Sequence, residues 1–266
     1  MKKILIAALS FVLMVGTTAC SKSQAKLDFE SAVSSLEEKN QQLDSAINEL
    51  QTVLDSGETP LDLSLIDTGK SLIVDAMAAK VLAPEMGKGD EAIAAQAEEL
   101  NSVDYNIIIS GLTDAKDQLL ISIQKLKLVT NPSEEYVLTR LARVENITAI
   151  EAATEDDDPN GQLHKAGGYT SAVFFESDLV PAGTYFFDPS STVHKGTAGG
   201  GSIEVYANAE DAKKRDTYLS AFDGGALSSG AHTVIGTVVI RISDNMKASD
   251  QQLMTERIID ALTAIE

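Results

Sequence analysis

The sequence contains no tryptophan, a single cysteine and few basic residues. Of its 266 residues, 40 are acidic and 21 are lysine or arginine, which gives a formal net charge of −19. A surface this acidic repels phosphate backbones and anionic lipids, so it excludes ordinary nucleic-acid binding and disfavours peripheral adsorption to membranes. Cations and basic surfaces are the partners that such a charge favours.

The single cysteine, Cys20, leaves no partner for an intrachain disulfide and no set of thiolates for a metal site. Hydrophobic residues make up 44% of the chain, which argues against disorder and is enough for one large domain or two small ones. No hydrophobic segment after Cys20 is long enough to span a membrane.

The first twenty residues follow the pattern of an export signal. Lys2 and Lys3 precede an apolar stretch over 4–15, which has signal-peptide length. The sequence Thr17-Thr18-Ala19-Cys20 resembles the bacterial lipobox, although Thr17 stands where that motif usually has leucine. The resemblance implies that residues 1–19 are removed and that Cys20 carries a lipid. Ordinary cleavage after Ala19, giving a soluble secreted protein, is the alternative.

Residues 20–130 are predicted to form a helical bundle or coiled-coil stalk. The first helix has a 4-3 spacing of seam positions, which is typical of helices that pack lengthwise. These positions are Phe29, Val33, Leu36, Asn40, Leu43, Ile47, Leu50 and Leu54. Both an intermolecular coiled coil and an intramolecular bundle use this seam, and the amphipathic helices that follow favour the bundle.

Three further helices are predicted in this half. The second starts at Thr59-Pro60 and reaches about Val81, the third is capped by Asp90, and the fourth starts at Ser102 or Asp104. Residues 43–118 resemble the FIVAR-type helical modules of Gram-positive surface proteins, mainly through 103–105 and the helix that follows. The resemblance implies a spacer or adhesion unit, and an unrelated small helical bundle is the alternative.

Residues 131–266 are predicted to form an α+β domain in the order α-β-β-β-α-β-β-α. The strands are expected at 147–154, 169–177, 202–207, 233–235 and 237–243, and the helices at 134–144, 208–222 and the C-terminal end, with Asn131 capping the first. The glycine run 196–201 is interpreted as a flexible loop. In the last strand, Val239 and Arg241 alternate with apolar residues, which indicates one buried face. The expected architecture is a mostly antiparallel sheet with helices on one face.

This second half also resembles a family without a known activity. The matching segments are 131–137, 154–161, 167–170, 200–206, 210–215 and 236–241. They resemble a domain of exported proteins and lipoproteins of Gram-positive anaerobes. The resemblance implies a shared fold and an extracellular setting, and it assigns no catalytic residue.

The strongest chemical motif is a possible calcium loop. Asp156, Asp158, Asn160 and Gly161 occupy positions 1, 3, 5 and 6 of an EF-hand-like pattern, and Gln162 would add its carbonyl oxygen. Gly167, however, stands at position 12, where a bidentate glutamate is needed. A solvated turn at Pro159-Asn160-Gly161 explains the same residues.

No other motif indicates a cofactor or catalysis. His164, His194 and His232 are far apart in sequence, so a metal site or catalytic base would require them to meet in the fold. The charged segment 210–215 is expected to be a solvated helix face with i,i+4 ion pairs Glu210–Lys214 and Asp211–Arg215.

Taken together, these features predict a lipid-anchored protein on the extracytoplasmic face of the cell membrane. It is expected to act as a non-enzymatic binding or spacing module for an envelope protein or a small ligand. The alternatives are the solute-binding lipoprotein of a transporter, a calcium-stabilised surface module and an envelope enzyme that uses His164 or His232.

Overall fold

The computed structural model describes residues 22–184, 191–225 and 230–266. The predicted signal segment 1–19 and the predicted lipid attachment at Cys20 lie outside these ranges. The described residues fall into two compact units, one within 1–46 and 75–110 and the other within 47–74 and 111–266. No helix within the described ranges is long and apolar enough to cross a membrane.

The first half is helical, as predicted. Its helices are α1 Gln24–Leu54, α2 Ser64–Ala79, α3 Asp90–Ser102 and α4 Asn106–Leu128. In the first unit, Phe29 and Leu36 of α1 pack against Ile93, Ala97 and Leu100 of α3. Within the first unit, the seam of α1 is therefore covered by residues of the same chain, as in the predicted intramolecular bundle.

Asn40, the polar residue in this seam, has partners inside the first unit. Its side-chain Nδ2 donates to the Val81 carbonyl oxygen at 3.0 Å, and its Oδ1 accepts from the Tyr105 hydroxyl at 3.1 Å. The same hydroxyl accepts from the Val81 backbone N–H at 2.8 Å. Asn40 therefore forms hydrogen bonds with Tyr105 and with the segment that follows α2, which explains a polar residue in this seam.

We expect Asn40→Ala to lower the free energy of unfolding of this unit by about 1–3 kcal/mol, because it leaves the Val81 carbonyl and the Tyr105 hydroxyl without these partners. Urea denaturation followed by circular dichroism measures the change. Gln42→Ala, an exposed substitution on the same helix, should change the stability by less than about 0.5 kcal/mol. Equal effects of the two substitutions would contradict this role of Asn40.

Helix α2 begins later than the sequence predicts. The backbone N–H groups of Leu61 and Asp62 donate to the carbonyl and hydroxyl oxygens of Ser122, at 3.1 and 2.9 Å. The Asp62 carboxylate then caps the helix by accepting from the Ser64 N–H at 3.0 Å. Thr59-Pro60 is therefore not the helix start, because Ser122 accepts from the backbone amides that would open a helix beginning there.

The second half is α+β, as predicted. Its elements are α5 Glu134–Leu141, β1 Ile147–Ala152, β2 Tyr169–Ser177, α6 Thr192–Lys195, β3 Gly200–Tyr206, α7 Ala209–Ser220, β4 Ala231–Ile235, β5 Val238–Ile242 and α8 Ala248–Thr263. The strands form one sheet in the order β1-β2-β3-β5-β4, and every neighbouring pair is antiparallel. Strand β3 therefore lies at the centre of the sheet.

Helices cover both faces of this sheet. On one face, α5 and α8 pack on alternate strand residues that include Val173, Phe175 and Ile240. On the other face, Ala212 and Leu219 of α7 pack with a second set that includes Phe174 and Val239. The prediction of helices on one face holds for α5 and α8. Helix α7 covers the opposite face, which the alternation of residues along the strands alone would leave exposed to solvent.

The glycine run is ordered rather than a flexible loop. Residues Gly196–Gly199 form a 3-10 turn, and β3 starts at Gly200. A Cβ atom on Gly201 would lie 2.2 Å from the Arg241 carbonyl oxygen and 2.5 Å from Cζ of Phe175. Glycine is therefore needed here because two strands and an aromatic ring approach the backbone closely.

Helix α5 begins at Glu134 as predicted, but its N-cap differs from the prediction. Ser133, and not Asn131, is the N-cap, and its hydroxyl accepts from the Tyr136 N–H at 3.1 Å. Asn131 instead adopts a positive φ of 46° and donates its backbone N–H to the Thr237 hydroxyl at 2.6 Å. The asparagine tolerates this left-handed conformation better than most residues, so it turns the chain before the helix begins.

Candidate ligand-binding site

A cleft of about 640 Å³ opens on the α7 side of the sheet. Its walls are α7 and the loop that joins β1 to β2, and its floor includes residues of β3 and β5. The lining residues are Asn160, Gln162, Gly167, Gly168, Tyr206, Asp211, Lys214, Arg215, Tyr218, Leu219, Phe222 and Arg241. Polar groups from four segments of the chain therefore converge on one concave surface, which is typical of a small-ligand site.

A buried carboxylate organises the floor of this cleft. Glu204 lies on the central strand β3 and is 0% exposed. Arg215 from α7 donates to it in a bidentate manner, Nε to Oε2 at 2.8 Å and Nη2 to Oε1 at 2.9 Å. Arg241 from β5 donates Nη1 to Oε1 at 2.9 Å, and the Tyr206 hydroxyl donates to Oε2 at 3.1 Å. The carboxylate is thus fully hydrogen-bonded.

Two guanidinium groups, those of Arg215 and Arg241, share the buried carboxylate of Glu204. Burial lowers the pKa of Arg215, but the hydrogen bonds to Glu204 and the charge of that carboxylate raise the pKa by more than burial lowers it. The net shift is therefore upward, and Arg215 stays charged. Burying a charge is costly unless it is paired. The floor of the cleft therefore presents two guanidinium groups in a chain that is otherwise strongly acidic.

Two tyrosines connect this floor to the β1–β2 loop. The rings of Tyr169 and Tyr206 meet edge to face with their centroids 6.1 Å apart, and the Tyr169 hydroxyl donates to Asp158. Burial raises the pKa of both phenols, and the neighbouring carboxylates Asp158 and Glu204 raise it further. Both tyrosines therefore remain neutral hydrogen-bond donors.

The side chain of Asp158 orders the loop that forms one wall of the cleft. Its carboxylate accepts from the backbone N–H groups of Asn160, Gln162 and Leu163 at 3.0, 2.6 and 2.9 Å. Together with Tyr169, these donors satisfy both carboxylate oxygens. The predicted turn around Pro159-Asn160-Gly161 is present, and it is held by Asp158 and not by solvent alone.

The predicted calcium ligands are distributed differently from an EF-hand loop. Asp156 and Gln162 are exposed, Asp158 accepts hydrogen bonds from the protein, and the Asn160 side chain lies 3.4 Å from the Tyr169 hydroxyl. Within the described ranges, no group of three or more histidine, cysteine or acidic side chains could hold a metal ion. Calcium binding at this loop stays a prediction, and it would require Asp158 to release backbone donors.

The pH dependence of stability tests the role of Asp158. Burial raises the pKa of this carboxyl, but the hydrogen bonds from Tyr169 and the three backbone amides lower it below the ordinary 3.8. A carboxyl whose pKa is lowered by folding stabilises the native state above its unfolded pKa, and this contribution is lost as the pH falls through the lowered folded pKa. We therefore expect stability to fall with acidification in this range.

In Asp158→Asn, this part of the acid-induced loss should disappear, and the variant should also be less stable than wild type at neutral pH. Thermal melts at a series of pH values, with and without calcium and in chelator, measure both effects. Asp156→Asn, at an exposed position in the same loop, is the matched control. Identical acid profiles for the three proteins would remove Asp158 as the organiser.

The three histidines have separate surroundings. His164 is exposed, with Nδ1 2.8 Å from Glu155, and His194 is exposed on the short helix α6. His232 on β4 is largely buried, with Nδ1 2.7 Å from Asp216 and Nε2 3.3 Å from Asp223. Both ring nitrogens of His232 therefore face carboxylates and not the cleft.

Asn160 and Gln162, which were predicted as calcium ligands, line the cleft, but the arginines on its floor were not predicted as site residues. Of the two predicted ion pairs on α7, Lys214 does contact Glu210 at 3.0 Å, but Arg215 turns inward to Glu204 and away from Asp211. The available signal was Glu204 between Ile203 and Val205, and Arg241 between Ile240 and Ile242. Opposite charges inside two apolar strands indicate a buried ion pair when both faces of the sheet are covered.

No protein-family model, curated protein or solved structure matches this chain. The resemblances to an exported lipoprotein family and to FIVAR-type modules therefore stay predictions.

Proposed function

We propose that this chain is a non-enzymatic binding module, held on the extracytoplasmic face of the cell membrane by a lipid on Cys20. Its cleft receives a small ligand that carries a carboxylate. The observation that supports this proposal is the arrangement of Arg215 and Arg241, which share the single buried carboxylate of Glu204 on the floor of the cleft.

A carboxylate ligand fits the charge of this floor. It would meet planar guanidinium donors, which are well suited to carboxylates. At the rim, Tyr218 and Phe222 stack edge to face at 5.1 Å, and the Arg215 guanidinium lies 5.6 Å from the Tyr218 ring. These rings give the organic part of a ligand an apolar contact.

Binding without catalysis is supported by the surroundings of the candidate bases. His232 directs both ring nitrogens to Asp216 and Asp223, and the carboxylates of Glu204 and Asp158 are saturated with donors. A general base needs a lone pair within reach of the substrate. The solute-binding partner of a transporter is the second candidate, because the same cleft would hold a transported solute.

Ligand binding is tested by thermal melts in a panel of small carboxylates, each compared with its neutral amide. A ligand at about 100 times its dissociation constant stabilises the folded state by about 2.7 kcal/mol. We expect at least one carboxylate, and not its amide, to raise the melting temperature. Arg215→Lys should reduce the shift, and Lys213→Gln, an exposed charge change on the same helix, should preserve it. Equal shifts for acids and amides would refute the proposal.

Membrane attachment is tested independently. Mass spectrometry of the protein isolated from membranes should find Cys20 as the first residue with a diacylglyceryl group, and Cys20→Ser should prevent that modification and the attachment. A mature protein with an unmodified Cys20, or one released into the medium, would remove the anchor while leaving the binding proposal open.

A further inference from the structure

All five arginines of the chain lie in its second half, at 140, 143, 215, 241 and 257. Two of them form the floor of the cleft, and the other three line a second cavity of about 500 Å³ beside α5 and α8. In a chain with a net charge of −19, a second concentration of guanidinium groups requires an explanation of its own.

Arg140 is built into this cavity. Its side chain is only 8% exposed, and its guanidinium lies 4.9 Å from the centre of the Tyr136 ring. Its Nη1 donates to the Glu266 side-chain carboxylate at 3.0 Å, and Nη1 of Arg143 donates to the same oxygen. A carboxylate on an exposed segment therefore already occupies the position between two arginines.

Arg257, the third arginine, extends the charged lining of this cavity. Arg257 of α8 donates to the Glu145 carboxylate at 2.5 Å and to the Asn146 side-chain oxygen. Val144, Ala261 and Ala264 supply apolar lining between the charged groups, which also include the carboxylate of Asp260. The cavity thus combines carboxylate recognition with space for a small apolar side chain.

We propose that this cavity is a docking site for a glutamate side chain of an acidic peptide segment in a partner protein, and that Glu266 occupies it in the partner's absence. Glu266 shows that a carboxylate fits, since Arg143 and Arg140 lower its pKa and hold it ionised. Its side chain is 60% exposed, and exposed ion pairs contribute little to stability because solvent screens them. A partner with several contacts therefore displaces it at little cost.

The preference for a peptide over a free small acid follows from the same geometry. The position is open to solvent at Glu266, and Ile265 before it is half exposed. A main chain can therefore enter the cavity from the surface with a glutamate and a neighbouring apolar residue. This site is separate from the cleft at Glu204 and does not depend on the ligand proposed there.

The five arginines make the test direct, because the full chain in detergent micelles should give five assignable Nε–Hε nuclear magnetic resonance signals. The probe is the amidated peptide Thr-Ala-Ile-Glu, which copies residues 263–266, and the control is Thr-Ala-Ile-Gln. We expect the glutamate peptide to shift the signals of Arg140 and Arg143 but not those of Arg215 and Arg241.

Glu266→Gln removes the internal competitor and should strengthen peptide binding by up to about fivefold, because an exposed ion pair is a weak competitor. Arg143→Gln, an exposed substitution that preserves the buried Arg140, should weaken it in both backgrounds. Equal shifts with the glutamine peptide, no effect of Arg143→Gln, or shifts confined to Arg215 and Arg241 would each overturn the proposal. The last outcome would assign the peptide to the cleft.

Discussion

Glu204→Ala is expected to lower the free energy of unfolding by about 3–5 kcal/mol, because removing one member of a buried ionic group leaves the other charges uncompensated. Arg215 and Arg241 would both lose their carboxylate, and the Tyr206 hydroxyl would lose its acceptor. Urea denaturation measures the change. Glu210→Ala, at the exposed end of an ion pair on α7, should cost less than about 0.5 kcal/mol.

A triple substitution separates stability from binding. Replacing a buried ionic group by apolar residues of similar volume is often neutral or stabilising, by about 1–4 kcal/mol. We therefore expect Glu204→Met with Arg215→Leu and Arg241→Leu to fold and to lose the response to carboxylates. If the triple variant unfolds as readily as Glu204→Ala, the ionic group is needed for folding. If it still responds to carboxylates, the ligand lies elsewhere.

Phe175→Ala is expected to cost about 3–5 kcal/mol, because it leaves a cavity in the core beneath α5 and α8. Phe175 is 0% exposed and lies on the face of β2 opposite to the cleft. At a temperature where the variant is still folded, its response to carboxylates should match that of wild type. Calorimetry measures the stability, and the panel of melts measures the response.

Phe175→Ala is the control that separates the stability of the sheet from the charge at Glu204. Both substitutions destabilise the same sheet, but only Glu204→Ala changes the charge on the floor of the cleft. Loss of carboxylate binding in a folded Phe175→Ala protein would mean that binding reports the integrity of the sheet and not the guanidinium pair. A loss of stability below about 1 kcal/mol would mean that the core around Phe175 collapses without a cavity.

The sequence predicted the helices and strands where the pattern was local and strong. The 4-3 seam identified α1, and the apolar run at Tyr169–Ser177 identified β2 with its observed bounds. The predicted start of α2 and the predicted N-cap of α5 were wrong. Ser122 and Thr237, which are distant in sequence, accept from backbone amides that a local capping rule assigns to the helix.

The cleft could not be predicted from local patterns. Alternation in β5 indicates that Arg241 and its apolar neighbours face opposite sides, but it does not reveal whether the charged side is solvated. In the fold, α7 covers that side, and Arg241 pairs with a carboxylate 37 positions away. Arg215 likewise had a partner available on its own helix, and it uses Glu204 because the strand brings that carboxylate beneath α7.

The most direct test of the carboxylate cleft is to follow the Nε–Hε signals of Arg215 and Arg241 while the full chain is titrated with acetate, with acetamide as the neutral control. If the guanidinium groups of Arg215 and Arg241 bind carboxylates, acetate should shift both signals to saturation and acetamide should leave them in place. The triple variant should retain no site for acetate. Unchanged signals for Arg215 and Arg241, or equal shifts with acetate and acetamide, would contradict carboxylate binding by these groups.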